Sequence, residues 1–188
     1  DQIHKRQRQG HLQLDARIAS YELAARMQLN ASAALDLSRE TSVTLRMYGV
    51  GQQPTDEYAR RCLMARRLVE RGVRFVQVNT DQQLWDHHHN IASELSKACK
   101  LTDQPVAALI QDLQQRGLLD ETMIVWGGEF GRLPISQSKN GPDHNRQGFT
   151  TWLAGGGVKA GTIYGAPDEF GYAAVENRVS VPDFHATV

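Results

Sequence analysis

The sequence predicts an α/β protein built on a layered, mostly parallel sheet flanked by helices. Helix-like and strand-like segments alternate along its 188 residues in the order helix, strand, helix, strand. This order favours parallel pairing, because parallel neighbours are connected by a crossover helix. Residues 122–126 form a continuous apolar run, which is expected of a strand that is covered on both faces.

The individual elements follow from the spacing of apolar residues. A helical stripe predicts a helix over 12–27, and residues 30–56 combine Ser, Thr and Ala with turn residues. Alternation of apolar and polar residues over 73–78 predicts the first strand. The other predicted elements are helices over 56–71 and 91–116, the second of them broken near Pro105, strands over 122–126 and 149–154, and a hairpin ending at 163–165. We interpret the five arginines of the helix over 56–71 as a solvated face, with an anion-binding face as the alternative.

We interpret the chain as a single domain, with a helical lead-in over 1–56 and an α/β core over 57–188 that carries the loops of the site. Residues 183–188 resemble the opening turn of a helix without its body, so we expect the chain to be a piece of something longer. A formal net charge of +0 gives no electrostatic reason to expect nucleic acid. No apolar run approaches the roughly 20 residues that span a bilayer.

Carboxylates and imidazoles are concentrated in three predicted loops. Asp86 and His88 follow the first predicted strand, and Glu129 follows the second. Both loops lie at carboxyl ends of strands, where open α/β sheets bind ligands. The third loop, just before the next strand, carries Asp143 and His144. Because one sheet edge can collect all three loops, we expect these side chains to meet.

These residue types suit a transition-metal ion. A carboxylate supplies charge and a hard oxygen, and a neutral imidazole supplies a borderline nitrogen, so a mixed set favours Zn, Mn or Fe over Ca or Mg. The sequence therefore predicts a divalent-metal site with Asp86, His88, Glu129, Asp143 and His144 as ligands. Each has an alternative explanation: the three consecutive histidines can form an exposed loop, Glu129 can be a cap, and Asp143 can be a turn residue.

Two further positions carry predictions of their own. Arg132 lies three residues after Glu129 and is predicted to bind an anionic ester through its planar fork, with a structural salt bridge as the alternative. Asp183 is interpreted as a cap of the final helix rather than a metal ligand, and the role of His185 is open.

Four long strings of the sequence carry a family resemblance. They run from Cys62 to Val76, from Trp126 to Arg132, from Gly141 to Asn145, and from Ala154 through Asp168 to Thr187. They resemble the bacterial "domain of unknown function 1501" proteins. The resemblance covers nearly the whole chain. It implies the alkaline phosphatase/sulfatase-like α/β fold and an exported protein, in the periplasm or at the cell surface.

Members of that superfamily hold two metal ions beside a Ser, Thr or Cys nucleophile that attacks a phosphate or sulfate ester. By position, the resemblance implies that Asp86 and His88 bind one ion, that Glu129 is the acidic ligand after a central strand, and that His144 is the late histidine ligand. The resemblance also implies that the chain is the C-terminal part of a larger domain. The N-terminal half of that domain is its expected partner and carries the nucleophile and a further Asp ligand.

Two functions are therefore expected. The first is a metal-dependent hydrolase of phosphate or sulfate esters, in which this chain supplies part of the metal site but not the nucleophile, and a small anionic ester is the substrate. The second is a non-catalytic exported or cell-surface protein that keeps the metal for folding or ligand binding. The family usually has a small polar residue where His87 stands, so the inward-facing residue among His87, His88 and His89 is open.

Overall fold

Helices make up the first part of the computed structural model, which describes residues 12–136 and 140–188. The part of the predicted lead-in before residue 12 lies outside the described residues. The helices are α1 (Leu12–Leu35), α2 (Ser42–Tyr48), α3 (Asp56–Val69), α4 (Ile91–Gln115) and α5 (Val181–Thr187), with short 3-10 turns at Leu37–Arg39 and Leu119–Glu121. No helix of the described residues combines the length and apolarity that crossing a membrane requires.

The apolar core lies where α2, α3 and α4 meet. Tyr48, Cys62, Leu63 and Ala108 are all buried in one cluster. The predicted break in α4 is wrong: the helix continues through Pro105, which is itself buried. Proline removes one backbone hydrogen bond, and packing of the buried helix face offsets that loss.

The solvated arginine face predicted for α3 is wrong at two positions. Arg66 and Arg67 are almost completely buried, with 1% and 4% of their surfaces exposed. Arg66 lies three residues after Leu63, on the same helix face, so the apolar stripe carries it into the core. Its guanidinium there lies 2.8 Å from carboxylate oxygens of three residues, namely Glu40, Glu70 and Asp112. Arg66 and Arg67 therefore pair with carboxylates inside the protein instead of facing solvent.

The strands of the described residues form three two-stranded antiparallel sheets. The pairs are β1 (Met123–Trp126) with β4 (Trp152–Gly155), β2 (Gly131–Ser136) with β3 (Pro142–Asn145), and β5 (Ala166–Pro167) with β6 (Ala174–Glu176). The protein is therefore mixed α/β, but the expected parallel sheet is not among these pairs. The strand predicted over 122–126 is present, and it pairs with a strand reached without a crossover helix, which gives antiparallel pairing.

The strand predicted over 73–78 is wrong as a sheet element, because these residues have no ladder partner within the described chain. Alternation predicts an extended backbone with two different faces, but a strand also requires a neighbour to pair with. Phe75 is accordingly 81% exposed. The predicted hairpin ending at 163–165 is also wrong, since the chain there has no strand and pairing resumes only at β5.

The final helix begins with a reciprocal cap. The side chain of Asp183 accepts hydrogen bonds from the backbone N–H and the hydroxyl of Ser180, at 3.0 and 2.6 Å. The Ser180 hydroxyl in turn accepts from the backbone N–H of Asp183 at 3.3 Å. This geometry is a capping box, and the prediction that Asp183 caps α5 is confirmed.

Candidate metal centre

The candidate centre lies between the loop before α4 and the β2–β3 hairpin. Asp86 and His88 are in the loop, separated by one residue. On the hairpin, Arg132 of β2 is the direct cross-strand partner of His144 of β3, and directly opposed residues point to the same face of a sheet. The hairpin therefore presents a cation and an imidazole together toward the loop.

Three potential ligand atoms converge at this point. Oδ1 of Asp86 lies 2.9 Å from Nε2 of His144 and 3.1 Å from Nε2 of His88, and the two Nε2 atoms are 3.1 Å apart. Ligand atoms about 2.1 Å from a common ion lie about 3.0 Å apart at octahedral angles and about 3.4 Å apart at tetrahedral ones. The spacing observed thus fits one ion with an oxygen and two nitrogen ligands. Among the described residues, these three form the group able to hold a metal.

Asp143 touches the opposite edge of the His88 ring. Its Oδ1 lies 2.8 Å from Nδ1 of His88. A carboxylate can only accept a hydrogen bond, so it stabilises the tautomer with the proton on Nδ1, in which Nε2 offers a lone pair to the cluster. Histidine ligands of metal ions are commonly oriented by a carboxylate in this way. The residues that meet here therefore fit a divalent ion, with Asp143 orienting a ligand.

Arg132 neutralises the carboxylate of Asp86. Its Nη2 donates to Oδ1 of Asp86 at 2.5 Å and to the backbone carbonyl oxygen of Trp85 at 3.3 Å. The hydrogen bond with His144 and the one from Arg132 hold the pKa of Asp86 well below its usual range, at about 2. Asp86 is consequently charged at neutral pH and keeps its capacity to bind a cation.

Aromatic rings enclose one side of the cluster. The Phe130 ring lies 4.2 Å from the His144 ring, and the Arg132 guanidinium lies 5.9 Å from the centre of the Phe130 ring. Trp85, next to Asp86, packs edge-on against Trp126 at 5.9 Å. Trp126 in turn stacks on Trp152 at 6.0 Å. All three tryptophans of the chain therefore lie in one group beside the candidate centre.

A close backbone contact fixes the hairpin to the loop. The side-chain oxygen of Asn140 accepts from the backbone N–H of Asn90 at 2.6 Å. Gly141 is buried against the backbone of His87 and His88, and a Cβ atom at this position would come within 2.5 Å of the His87 carbonyl oxygen. Glycine allows this approach because it has no Cβ. The contact places Asp143 and His144 beside the loop ligands.

The structure brings together most of the residues that the sequence predicted as ligands. Asp86, His88 and His144 form the cluster, and Asp143 lies directly behind His88. Glu129 does not join the group of converging atoms, since it lies exposed in the bend after β1. Of the three consecutive histidines, His88 is the one that lies in the cluster. Sequence reasoning missed Gly141, although an Asn-Gly pair at 140–141 marks a tight turn.

The fold and the cluster define a mixed α/β protein with a candidate metal centre built from a loop and a β-hairpin. The chain belongs to the family described as "Protein of unknown function (DUF1501)", which matches residues 1–188. No curated protein and no solved structure is significantly similar to the chain.

Proposed function

We propose that this chain supplies a divalent transition-metal site to a metal-dependent hydrolase of phosphate or sulfate esters. The observation that carries the proposal is the meeting of the Asp86 oxygen with the Nε2 atoms of His88 and His144 within 3.1 Å. One carboxylate oxygen and two imidazole nitrogens at this spacing form a ligand set of the kind that binds a transition-metal ion.

The residues of this chain have separate roles in the proposal. Asp86, His88 and His144 hold the ion, which would polarise the ester and stabilise negative charge on its oxygens. Asp143 keeps the His88 ring in its binding orientation. Arg132 contacts the anionic ester. Glu129 is a ligand of a second ion. The other ligands of that ion and the nucleophile come from the N-terminal half that the family resemblance implies. The alkaline phosphatase/sulfatase-like fold and export from the cell belong to the same proposal.

The oxygen and nitrogen ligands favour Zn, Mn or Fe over Ca or Mg. Metal content is the direct test: the purified protein is loaded with Zn²⁺ or Mn²⁺, dialysed and analysed for bound metal. Wild-type protein is expected to retain one equivalent, whereas D86A and H144A are expected to retain almost none. The variant E169Q, which changes an exposed carboxylate elsewhere, is the control and should bind as wild type does. Equal metal content in all four proteins would refute the site.

A second candidate function is a metal that serves folding rather than catalysis. The observation in its favour is that the ligands come from two segments separated by more than 50 residues, at 86–88 and 144, so an ion would cross-link them. Ester hydrolysis separates the two functions. Retained metal and a raised melting temperature, with no hydrolysis of aryl phosphate or aryl sulfate by the complete protein, would favour the folding role.

A further inference from the structure

Two positively charged groups compete for one oxygen atom of the candidate centre: the guanidinium of Arg132 and a bound metal ion. Oδ1 of Asp86 receives Nη2 of Arg132 at 2.5 Å and also faces the Nε2 atoms of His88 and His144. This oxygen faces both imidazole nitrogens, so an ion held by the cluster would bind it. The ion and the guanidinium would then lie on the same oxygen and repel each other, so a bound ion displaces the guanidinium.

We propose that Arg132 neutralises the metal-free centre as an internal counter-ion, that a metal ion displaces it from Asp86, and that the released guanidinium then binds an oxyanion. Metal and oxyanion binding are then positively coupled through this one side chain. The inference rests on the proposed metal site and adds to it the order and mutual dependence of the two ligands.

The structure keeps the released guanidinium close to the centre. Arg132 is held on β2 directly across from His144, and its guanidinium lies beside the Phe130 ring. Its Nη1 is buried and has no hydrogen-bond partner among the described residues. After release from Asp86, the planar group has donors on both terminal nitrogens without a carboxylate. Such a fork matches two oxygens of a phosphate or sulfate group.

The charges of the centre give the coupling its direction. Without metal, the guanidinium of Arg132 balances the carboxylate of Asp86, and an incoming anion meets no excess of positive charge. A divalent ion adds two positive charges where Asp143 and Asp86 provide two negative ones, which leaves the charge of Arg132 uncompensated. An oxyanion is therefore attracted only after the ion has bound. Reciprocity then requires the oxyanion to strengthen metal binding by the same factor.

Metal affinity measured with and without sulfate tests the proposal. Mn²⁺ is titrated calorimetrically into the protein in chloride and in sulfate buffers of equal ionic strength, with correction for Mn²⁺ bound by sulfate itself. For wild type, sulfate is expected to tighten Mn²⁺ binding by about fivefold or more, the lower range of typical couplings. For R132Q, Mn²⁺ is expected to bind more tightly than to wild type in chloride, and sulfate is expected to change the affinity less than twofold.

Two further variants make the outcome decisive. R132K keeps the charge but not the fork, and is expected to retain the competition with metal while losing most of the sulfate effect. R146Q removes an exposed arginine just after β3 and should behave as wild type. If R132Q binds Mn²⁺ in chloride with the same affinity as wild type, and sulfate still strengthens that binding, the inference is overturned. The metal site itself would then remain supported. Absence of Mn²⁺ and Zn²⁺ binding by wild type would instead refute the proposed function and the inference with it.

Discussion

At the scale of single residues, two adjacent side chains of β3 contact different nitrogen atoms of His88. Asp143 and His144 are consecutive in the strand, so they point to opposite faces of the hairpin. They nevertheless reach the two edges of the same ring, with Asp143 at Nδ1 of His88 and His144 at Nε2. The sequence grouped both residues as ligands because it shows chemical type and proximity along the chain. It contains no signal for which edge of an imidazole each residue meets.

The orienting role of Asp143 predicts a graded loss of metal affinity. Replacing it by alanine leaves Nδ1 of His88 without an acceptor, so the ring can rotate and both tautomers become populated. We expect D143A to bind Zn²⁺ about 10–100-fold more weakly than wild type, and D143N to lose less, since its amide oxygen still accepts. Competition with a chromophoric chelator measures both affinities. A loss in D143A as complete as in D86A would instead identify Asp143 as a direct ligand.

At the scale of elements, the helices were predictable and the sheets were not. The periodicity of α3 and α4 is a local property of sequence, and both helices lie within a few residues of their predicted bounds. Strand pairing depends on a distant partner, which periodicity does not identify. Residues 73–78 therefore have the pattern of a strand without a ladder, and 122–126 pairs antiparallel with β4. The β2–β3 hairpin, which carries half of the candidate centre, was not predicted at all.

Because the hairpin and the loop are in close backbone contact, we expect one methyl group added at position 141 to weaken both metal binding and stability. A Cβ atom at position 141 would overlap the backbone carbonyl groups of His87 and His88, and backbone cannot move aside as a flexible side chain can. We expect G141A to shift the hairpin away from the loop, lowering Zn²⁺ affinity at least tenfold and the melting temperature by several degrees. These are measured by chelator competition and circular dichroism.

The matched control for this variant is G128A. A Cβ atom there would lie 3.6 Å from its nearest neighbour, the Phe130 carbonyl oxygen, which is an ordinary contact distance. It adds the same methyl group near the same site and is expected to leave metal affinity within twofold of wild type. Equal losses in G128A and G141A would show that the effect does not come from the contact with His87 and His88.

At the scale of the whole molecule, the apolar core and the candidate metal centre lie in different regions of the described chain. The helices α2, α3 and α4 hold the apolar core, while the candidate centre lies among short antiparallel strands. Composition and periodicity were enough to predict a mixed α/β protein, and the clustering of Asp and His placed Asp86, His88 and His144 among five predicted ligands. The exposed position of Glu129 was not predictable, because a bend after a strand can turn a side chain either way.

The buried ion pairs join the region before α2 to the helical core. Glu40 follows the 3-10 turn at Leu37–Arg39 and pairs with Arg66 and Arg67 of α3. Arg66 also pairs with Asp112 of α4, which accepts a hydrogen bond from the Tyr48 hydroxyl at 3.0 Å. Burial by itself would raise the pKa of Glu40, but hydrogen bonds from Arg67 and Arg66 outweigh it, and the pKa is lowered. Folding therefore favours the charged form of this carboxyl group.

This lowered pKa sets the pH dependence expected for Glu40. A carboxyl group with a folded-state pKa below its ordinary value of 4.5 stabilises the protein fully above that value, and its contribution is lost as pH falls through the lowered pKa. At pH 7, E40Q leaves two buried guanidinium groups short of a carboxylate, so we expect a loss of about 3–5 kcal/mol in the free energy of unfolding. Urea denaturation between pH 7 and pH 3 measures the difference in free energy of unfolding between wild type and E40Q. This difference should narrow only below about pH 4.5.

The control is E94Q, which removes an exposed ion pair with Lys97 and should keep a free energy of unfolding close to that of wild type throughout. A difference for E40Q that is small at pH 7, or that persists unchanged at pH 3, would mean that the charge of Glu40 does not hold these elements together.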